Sequence, residues 1–141
     1  MGDVPELDAA GLPEELSAFD QILHRGEANP RTRSGIMTIE LLDSTPDWGR
    51  FRTRFENASR KVLRLRQKVV MPTLPTAAPR WVIDPDFNLD FHVRRLRVPE
   101  PGTLRQLFDM AEVAAQSPLD ISRPLWNTTL VEGLRAAEPR S

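Results

Sequence analysis

Apolar side chains recur most regularly between Trp48 and Leu65, at Trp48, Phe51, Phe55, Ala58, Val62 and Leu65. Three-and-four spacing puts them on one side of a helix, so the span predicts a buried stripe of about five turns. Thr45-Pro46-Asp47 supplies its start: a capping Thr, a Pro at the first helical position and an acid in the first turn. An earlier, shorter helix is predicted after Ser17, with Asp20 three residues on and Phe19, Ile22 and Leu23 as its apolar stripe. Asn29-Pro30 breaks it. A third helix is predicted behind Thr103, carrying Leu104, Leu107, Phe108, Ala111, Ala114 and Ala115, and Pro118 ends it.

Strand character appears at residues 34–42, where apolar and polar positions partly alternate, and at 67–71 and 80–83 on either side of a proline-rich loop. Residues 91–98 alternate less cleanly and are expected to form a strand, as are the β-formers of 126–131. Strands and helices are thus interspersed without strict alternation, which predicts an α/β fold, with helices packed on a mixed sheet. Residues 1–13 are acidic and punctuated by Pro and Gly, and are expected to be a poorly ordered lead-in.

Composition narrows the function classes. The chain has 141 residues, enough for one domain with a modest core, and is 40% hydrophobic and 28% charged. A net charge of −1 argues against a nucleic-acid partner. Absence of cysteine excludes disulfides, zinc–thiolate sites and a thiol nucleophile, and fits a cytoplasmic setting. The longest mostly apolar window, 36–42, is too short to span a bilayer, so any membrane contact is expected to be peripheral.

Self-contained catalytic chemistry is hard to find. There is no Gly-x-Ser-x-Gly elbow, no phosphate-cradling loop and no dinucleotide fingerprint. The two histidines, His24 and His92, are far apart and offer no metal-ligand spacing. On a strand, Asp90 and His92 would share a face, so His92 as a general base oriented by Asp90 or Asp86 is one reading. A structural histidine tying a strand to a loop is the preferred one. Arg50, Arg52, Arg54, Arg60, Lys61, Arg64 and Arg66 on the long helix form either a patch for a phosphorylated ligand or lipid headgroup, or a solvated face. The second is preferred, because the charges spread over the whole solvent arc without exposed aromatics between them. Arg123 is placed to bridge to Asp120 and fix the turn before Pro124-Leu125-Trp126, a proline-led approach to a strand.

Five fragments in order carry a resemblance: Leu16-Ser17-Ala18-Phe19-Asp20; Arg80-Trp81-Val82; Asp86-Phe87-Asn88-Leu89-Asp90-Phe91-His92-Val93-Arg94; Pro99-Glu100-Pro101-Gly102; and Pro118-Leu119-Asp120 through Arg123-Pro124-Leu125-Trp126 to Glu132-Gly133-Leu134. Together they resemble the amino-terminal part of the bacterial wax ester synthase/diacylglycerol acyltransferase family, over about residues 14–134. Asn88 and Asn127 stand where that family often has acids. The resemblance implies part of a chloramphenicol acetyltransferase-like domain. It further implies transfer of a fatty acyl group from acyl-CoA to diacylglycerol or a long-chain alcohol, with acyl-CoA as substrate and no cofactor or metal. A role in shaping the substrate channel is implied for Pro124, Leu125 and Trp126, and structural roles for Asp120, Arg123, Asp90 and His92.

The family's general base lies in a His-His-x-x-x-Asp-Gly motif, which the 141 residues do not contain. The expectation is therefore a truncated acyltransferase, inactive alone, in the cytoplasm or at the periphery of membranes or lipid bodies. Residues 135–141 read as a tail outside the family pattern. The alternative is a non-catalytic subunit that binds lipid or complements a second, carboxy-terminal chain. A partial domain of this kind is expected to leave an apolar face and an open sheet edge.

Overall fold

A computed structural model describes residues 14–135. The expected lead-in at 1–13, and the expected tail apart from Arg135, lie outside the described residues. Helix α1 (Ala18–Glu27) begins where Ser17 accepts a hydrogen bond from the Asp20 amide at 3.1 Å, and it stops just before Asn29-Pro30. Phe19 is 69% exposed, so this helix turns much of its apolar stripe outward. It is tied down at its end, where buried Glu27 pairs with Arg33 at 3.4 Å.

Helix α2 (Trp48–Lys61) starts two residues later than expected. Asp47, not Thr45, is the cap: its carboxylate is acceptor-only and takes the Arg50 amide at 2.9 Å. The helix closes at Lys61 and tightens into a 3₁₀ turn, Leu63–Arg66, so the last two members of the stripe leave the α-helix. Trp48, Phe51 and Phe55 are only half-buried, and Phe51 and Phe55 line a groove rather than a closed core. The fully buried side chain is Ser59, whose hydroxyl donates to the Glu56 carbonyl at 2.8 Å and accepts from Arg66.

Strands β1 (Gln67–Val70) and β2 (Arg80–Ile83) form an antiparallel ladder with Val69 opposite Trp81. The start of the described chain docks on it through Leu16 N to the Pro79 carbonyl and Trp81 N to the Glu14 carbonyl, both 2.9 Å. After β2, the buried Asp84 accepts the Asp86 amide at 3.1 Å and pairs with Lys68 at 3.1 Å, which shapes the turn that presents Phe87.

Residues 91–98 do not form one strand. Leu89–His92 is a single helical turn, α3, and strand β3 begins at Val93 and runs to Arg97. Asn88 causes the difference: its side chain caps the Asp90 amide at 3.0 Å, and a capped turn outcompetes an imperfect alternation. Helix α4 (Leu104–Gln116) follows, started by a reciprocal capping box between Thr103 and Gln106. It forms the crossover to β4 (Thr128–Glu132), which pairs parallel to β3 with Arg95 opposite Leu130. Gly102 and Gly133 pack against each other at the end of this unit, both at positive φ (77° and 83°), where a side chain at Gly102 would strike the Gly133 carbonyl.

The fold is mixed α/β, but the expected sheet is divided into two small ladders, β1–β2 antiparallel and β3–β4 parallel. Buried Leu89, Val93, Val98, Leu107 and Leu130 form the core on the β3–α4–β4 side. Residues 34–42 are not a strand: they have no regular secondary structure, and Ile36 is 97% exposed. Among the described residues their backbone groups have no hydrogen-bond partner, and alternation alone does not make a strand without one.

Candidate functional site

The approach to β4 is a point where several aromatic rings converge. Phe51, Phe55, Trp126, His92 and Phe87 form a continuous run from α2 to the turn after β2. Phe51 to Phe55 is 5.0 Å between ring centroids, Phe55 to Trp126 is 6.2 Å, Trp126 to His92 is 4.7 Å and His92 to Phe87 is 5.2 Å. The last three contacts are near-parallel, with interplanar angles of 21°, 17° and 12°. Arg66 caps the far end, its guanidinium 4.6 Å from the Phe87 ring centroid.

Two hydrogen bonds lock Trp126 within this run. Its indole Nε1 donates to the Leu65 carbonyl at 2.8 Å, joining the β4 approach to the 3₁₀ turn. Its own carbonyl accepts from His92 Nδ1 at 2.7 Å. A carbonyl only accepts, so Nδ1 carries the proton. His92 is 3% exposed and is not among the groove-lining residues. Asp90 turns the other way, 67% exposed at its side chain and paired with Arg52 at 2.8 Å. The helical turn thus separates the two residues that a strand would have placed on one face.

The preceding turn has a fixed shape. Asp120 accepts from the Ser122 hydroxyl at 2.6 Å and amide at 2.9 Å, and pairs with Arg123 at 3.2 Å. The Ser122 hydroxyl, then its amide, and then Arg123 hold the Asp120 carboxyl below the usual carboxylate range. Arg123 also lies over the Phe91 ring at 3.6 Å. Pro124 is buried, Leu125 is half-buried, and the Trp126 amide bonds back to the Pro124 carbonyl at 3.0 Å.

Beside Trp126 opens a groove of about 740 Å³. Residues 36–46 form one wall and residues 126–135 another, with Phe51, Phe55, Leu107 and Met110 among the apolar side chains between them. Of Pro124, Leu125 and Trp126, the groove touches Trp126. Sequence reasoning did not find the groove, and it missed Phe55, Phe87 and the Leu65 carbonyl as partners of Trp126 and His92. Phe55 and Leu65 had left a signal as members of the apolar stripe, and Phe87 inside the Asp86-Phe87-Asn88 fragment, but nothing in the sequence joined them to Trp126 or His92.

Most basic residues of α2 are exposed, as a solvated face implies, while those of the following 3₁₀ turn are engaged in pairs. Arg66 and Arg60 converge on Glu56 at 2.9 Å each, Arg52 takes Asp90, and Arg64 pairs with Glu14 and covers the Trp81 ring at 4.3 Å. Desolvation raises the Glu56 pKa, but the Arg60 hydrogen bond and the charges of Arg66 and Arg60 outweigh it and bring the group below its ordinary 4.5. A depressed folded-state pKa contributes stability above the unfolded value, and that contribution disappears as pH falls through the folded one. Glu56→Gln is therefore expected to lower stability by less than about 1 kcal/mol at neutral pH, since the cluster is partly exposed. The difference from the unaltered chain should shrink below about pH 4.5, as read from urea midpoints across pH. Among the described residues there is no cluster of three or more His, Asp or Glu fit to hold a metal, and no helix long and apolar enough to cross a membrane.

Residues 6–138 match the family model of the wax ester synthase/diacylglycerol acyltransferase catalytic domain. The chain belongs to this family. It is 77% identical over 123 residues to the putative diacylglycerol O-acyltransferase Rv2484c of Mycobacterium tuberculosis, covering 87% of this chain and 25% of that protein. It is 39% identical over 104 residues to a probable diacylglycerol O-acyltransferase, tgs3, of the same species, covering 74% and 35%. The wax ester synthase/diacylglycerol acyltransferase of Marinobacter aquaeolei VT8 shares the fold, with a TM-score of 0.54 at 24% identity over 67% of this chain and 24% of that one. This wax ester synthase/diacylglycerol acyltransferase segment therefore spans 25% and 35% of the lengths of these two curated relatives.

Proposed function

We propose that this chain forms one side of the acyl channel of a wax ester synthase/diacylglycerol acyltransferase. The reaction of the whole protein would move a fatty acyl group from acyl-CoA to diacylglycerol or a long-chain alcohol. The groove carries the reading: on its apolar side Phe51, Phe55, Met110 and Trp126 present a surface on which an acyl chain loses contact with water. Trp126 is the wall, and Pro124 and Leu125 set where it stands. Asp120 and Arg123 shape the turn before it, His92 fixes its backbone, and Asp90 anchors the helical turn that carries His92 to α2.

The catalytic base is assigned to the family's His-His-x-x-x-Asp-Gly motif, absent from these 141 residues. That histidine would take the acceptor hydroxyl proton as the oxygen attacks the thioester carbonyl and the CoA thiolate leaves. This chain alone is thus expected to transfer no acyl group. Contact with a membrane or lipid body, where the acceptor resides, would be peripheral. The experiment is a transfer assay from labelled palmitoyl-CoA to diolein, run with this chain alone and with a second chain bearing the missing motif. Product should form only in the mixture. Turnover by the lone chain would overturn the assignment of the base, and no product in either would overturn the channel role.

A further inference from the structure

The cations of α2 and of the turn after it fall into two groups. Arg52, Arg60, Arg64 and Arg66 are each paired, with Asp90, Glu56, Glu14 and Glu56 respectively. Arg50, Arg54 and Lys61 are exposed, and among the described residues their side chains have no ion-pair or hydrogen-bond partner. At 3.6 residues per turn, these three positions lie within about 40° of one another, about 100° around the helix from the face of Phe51 and Phe55. They form a row about 16 Å long, with the exposed, uncharged Asn57 between them. The acids near it are engaged or face elsewhere. Asp47, at the start of the row, accepts the Arg50 amide at 2.9 Å, Glu56 is taken by Arg60 and Arg66, and Glu40 and Asp43 belong to the groove wall. Charges that spread over the whole solvent arc in the sequence thus leave one unneutralised row in the fold.

We propose that the Arg50–Arg54–Lys61 row docks the protein on an anionic phospholipid surface, with headgroup phosphates standing where the other cations of α2 have carboxylates. Charge complementarity carries the proposal: three like charges in line attract a surface of opposite sign, and each adds roughly fivefold to binding there. A row about 16 Å long exceeds one phosphate group and suits a plane of headgroups. Nucleic acid fits less well, because the chain carries a net charge of −1 and no aromatic side chain lies along the row to stack on a base. The row is also without large apolar side chains, so the contact is electrostatic, sensitive to salt and peripheral. The choice of a lipid surface over a soluble phosphate rests on the acyl-transfer reading, whose acceptors are held in such surfaces. What occupies the groove does not enter.

Vesicle flotation tests it without reference to turnover, since bound protein rises with the vesicles and aggregates sink. At about 0.1 M salt, the 141-residue chain should float with phosphatidylcholine vesicles made roughly one-third phosphatidylglycerol at least about tenfold more than with pure phosphatidylcholine. The difference should fade by about 1 M salt, where the Debye length is about 3 Å. Arg50→Gln/Arg54→Gln/Lys61→Gln should lower anionic binding at least about tenfold, with the urea midpoint unchanged because the three side chains are exposed and unpaired. Arg25→Gln/Arg31→Gln/Arg94→Gln removes the same charge from other exposed positions and should keep binding within about twofold. Arg50→Lys/Arg54→Lys should also bind, since a lipid plane reads charge and not the guanidinium fork. Equal flotation with both vesicle types, equal loss in both triple variants, or full binding by the first of them overturns the docking face. Displacement by inorganic phosphate at fixed ionic strength assigns the row to a soluble phosphate ligand and overturns the lipid surface. Product in the mixed-chain transfer assay with no flotation removes the docking face alone, and flotation with no product removes the channel alone.

Discussion

Trp126→Ala is expected to lower unfolding stability by about 3–4 kcal/mol, toward the low end for a tryptophan removed from a core because the side chain is half-buried and lines the groove. Three losses combine. The ring contacts with Phe55 at 6.2 Å and His92 at 4.7 Å disappear, the Leu65 carbonyl loses its donor, and the β4 approach is no longer tied to the 3₁₀ turn. Trp126→Phe keeps a flat ring between the same neighbours and removes only the indole donor, so about 1–2 kcal/mol is expected. Guanidinium unfolding at constant m-value gives both numbers. A Trp126→Ala chain within 1 kcal/mol of the parent would show that the run of rings is not what holds these elements together.

His92→Ala should cost about 3 kcal/mol, although the residue lies outside the groove. The side chain is 3% exposed, so its removal leaves a cavity between two aromatic rings and strips the Trp126 carbonyl of the 2.7 Å donor. His92→Phe separates these effects: stacking survives, the carbonyl stays buried and unpaired, and roughly 1–3 kcal/mol is lost. Because His92 and Trp126 touch through both ring and backbone, their losses should not add. A double-mutant cycle of His92→Ala and Trp126→Ala should give a coupling of about 1–3 kcal/mol. Independent, additive losses would mean that His92 acts through Phe87 rather than through Trp126.

These expectations bear on the two roles open to His92 from the sequence. A general base must present a free nitrogen toward a substrate hydroxyl. Here the side chain is 3% exposed and off the groove, aromatic rings stack on it, and Asp90, the orienter that a strand geometry suggested, points to Arg52 instead. The arrangement suits a residue that fixes a neighbour's position.

By itself, the sequence determined what depends on short-range physics. Ser17 and Thr103 mark their helices because a cap is a contact between residues three apart, and the Asp120–Arg123 bridge is equally local. Pro118 follows the end of α4 for a similar reason, since its ring cannot continue the helix. The ordered fragments from Leu16 to Leu134 carried the family, since packing positions keep their spacing.

Tertiary structure alone decided the rest. Whether 34–42 becomes a strand depends on a hydrogen-bonding neighbour, which no periodicity encodes. The surroundings of Asp90 and His92 also come from the fold: Arg52 of α2 takes the one, and the Trp126 carbonyl and the aromatic rings bury the other. The bonds that hold Trp126 reach back 61 residues to Leu65 and 34 to His92, and their partners are a backbone carbonyl and a ring nitrogen. Contacts of that range are set only when separate elements are brought together, and it is they that hold Trp126 beside the groove.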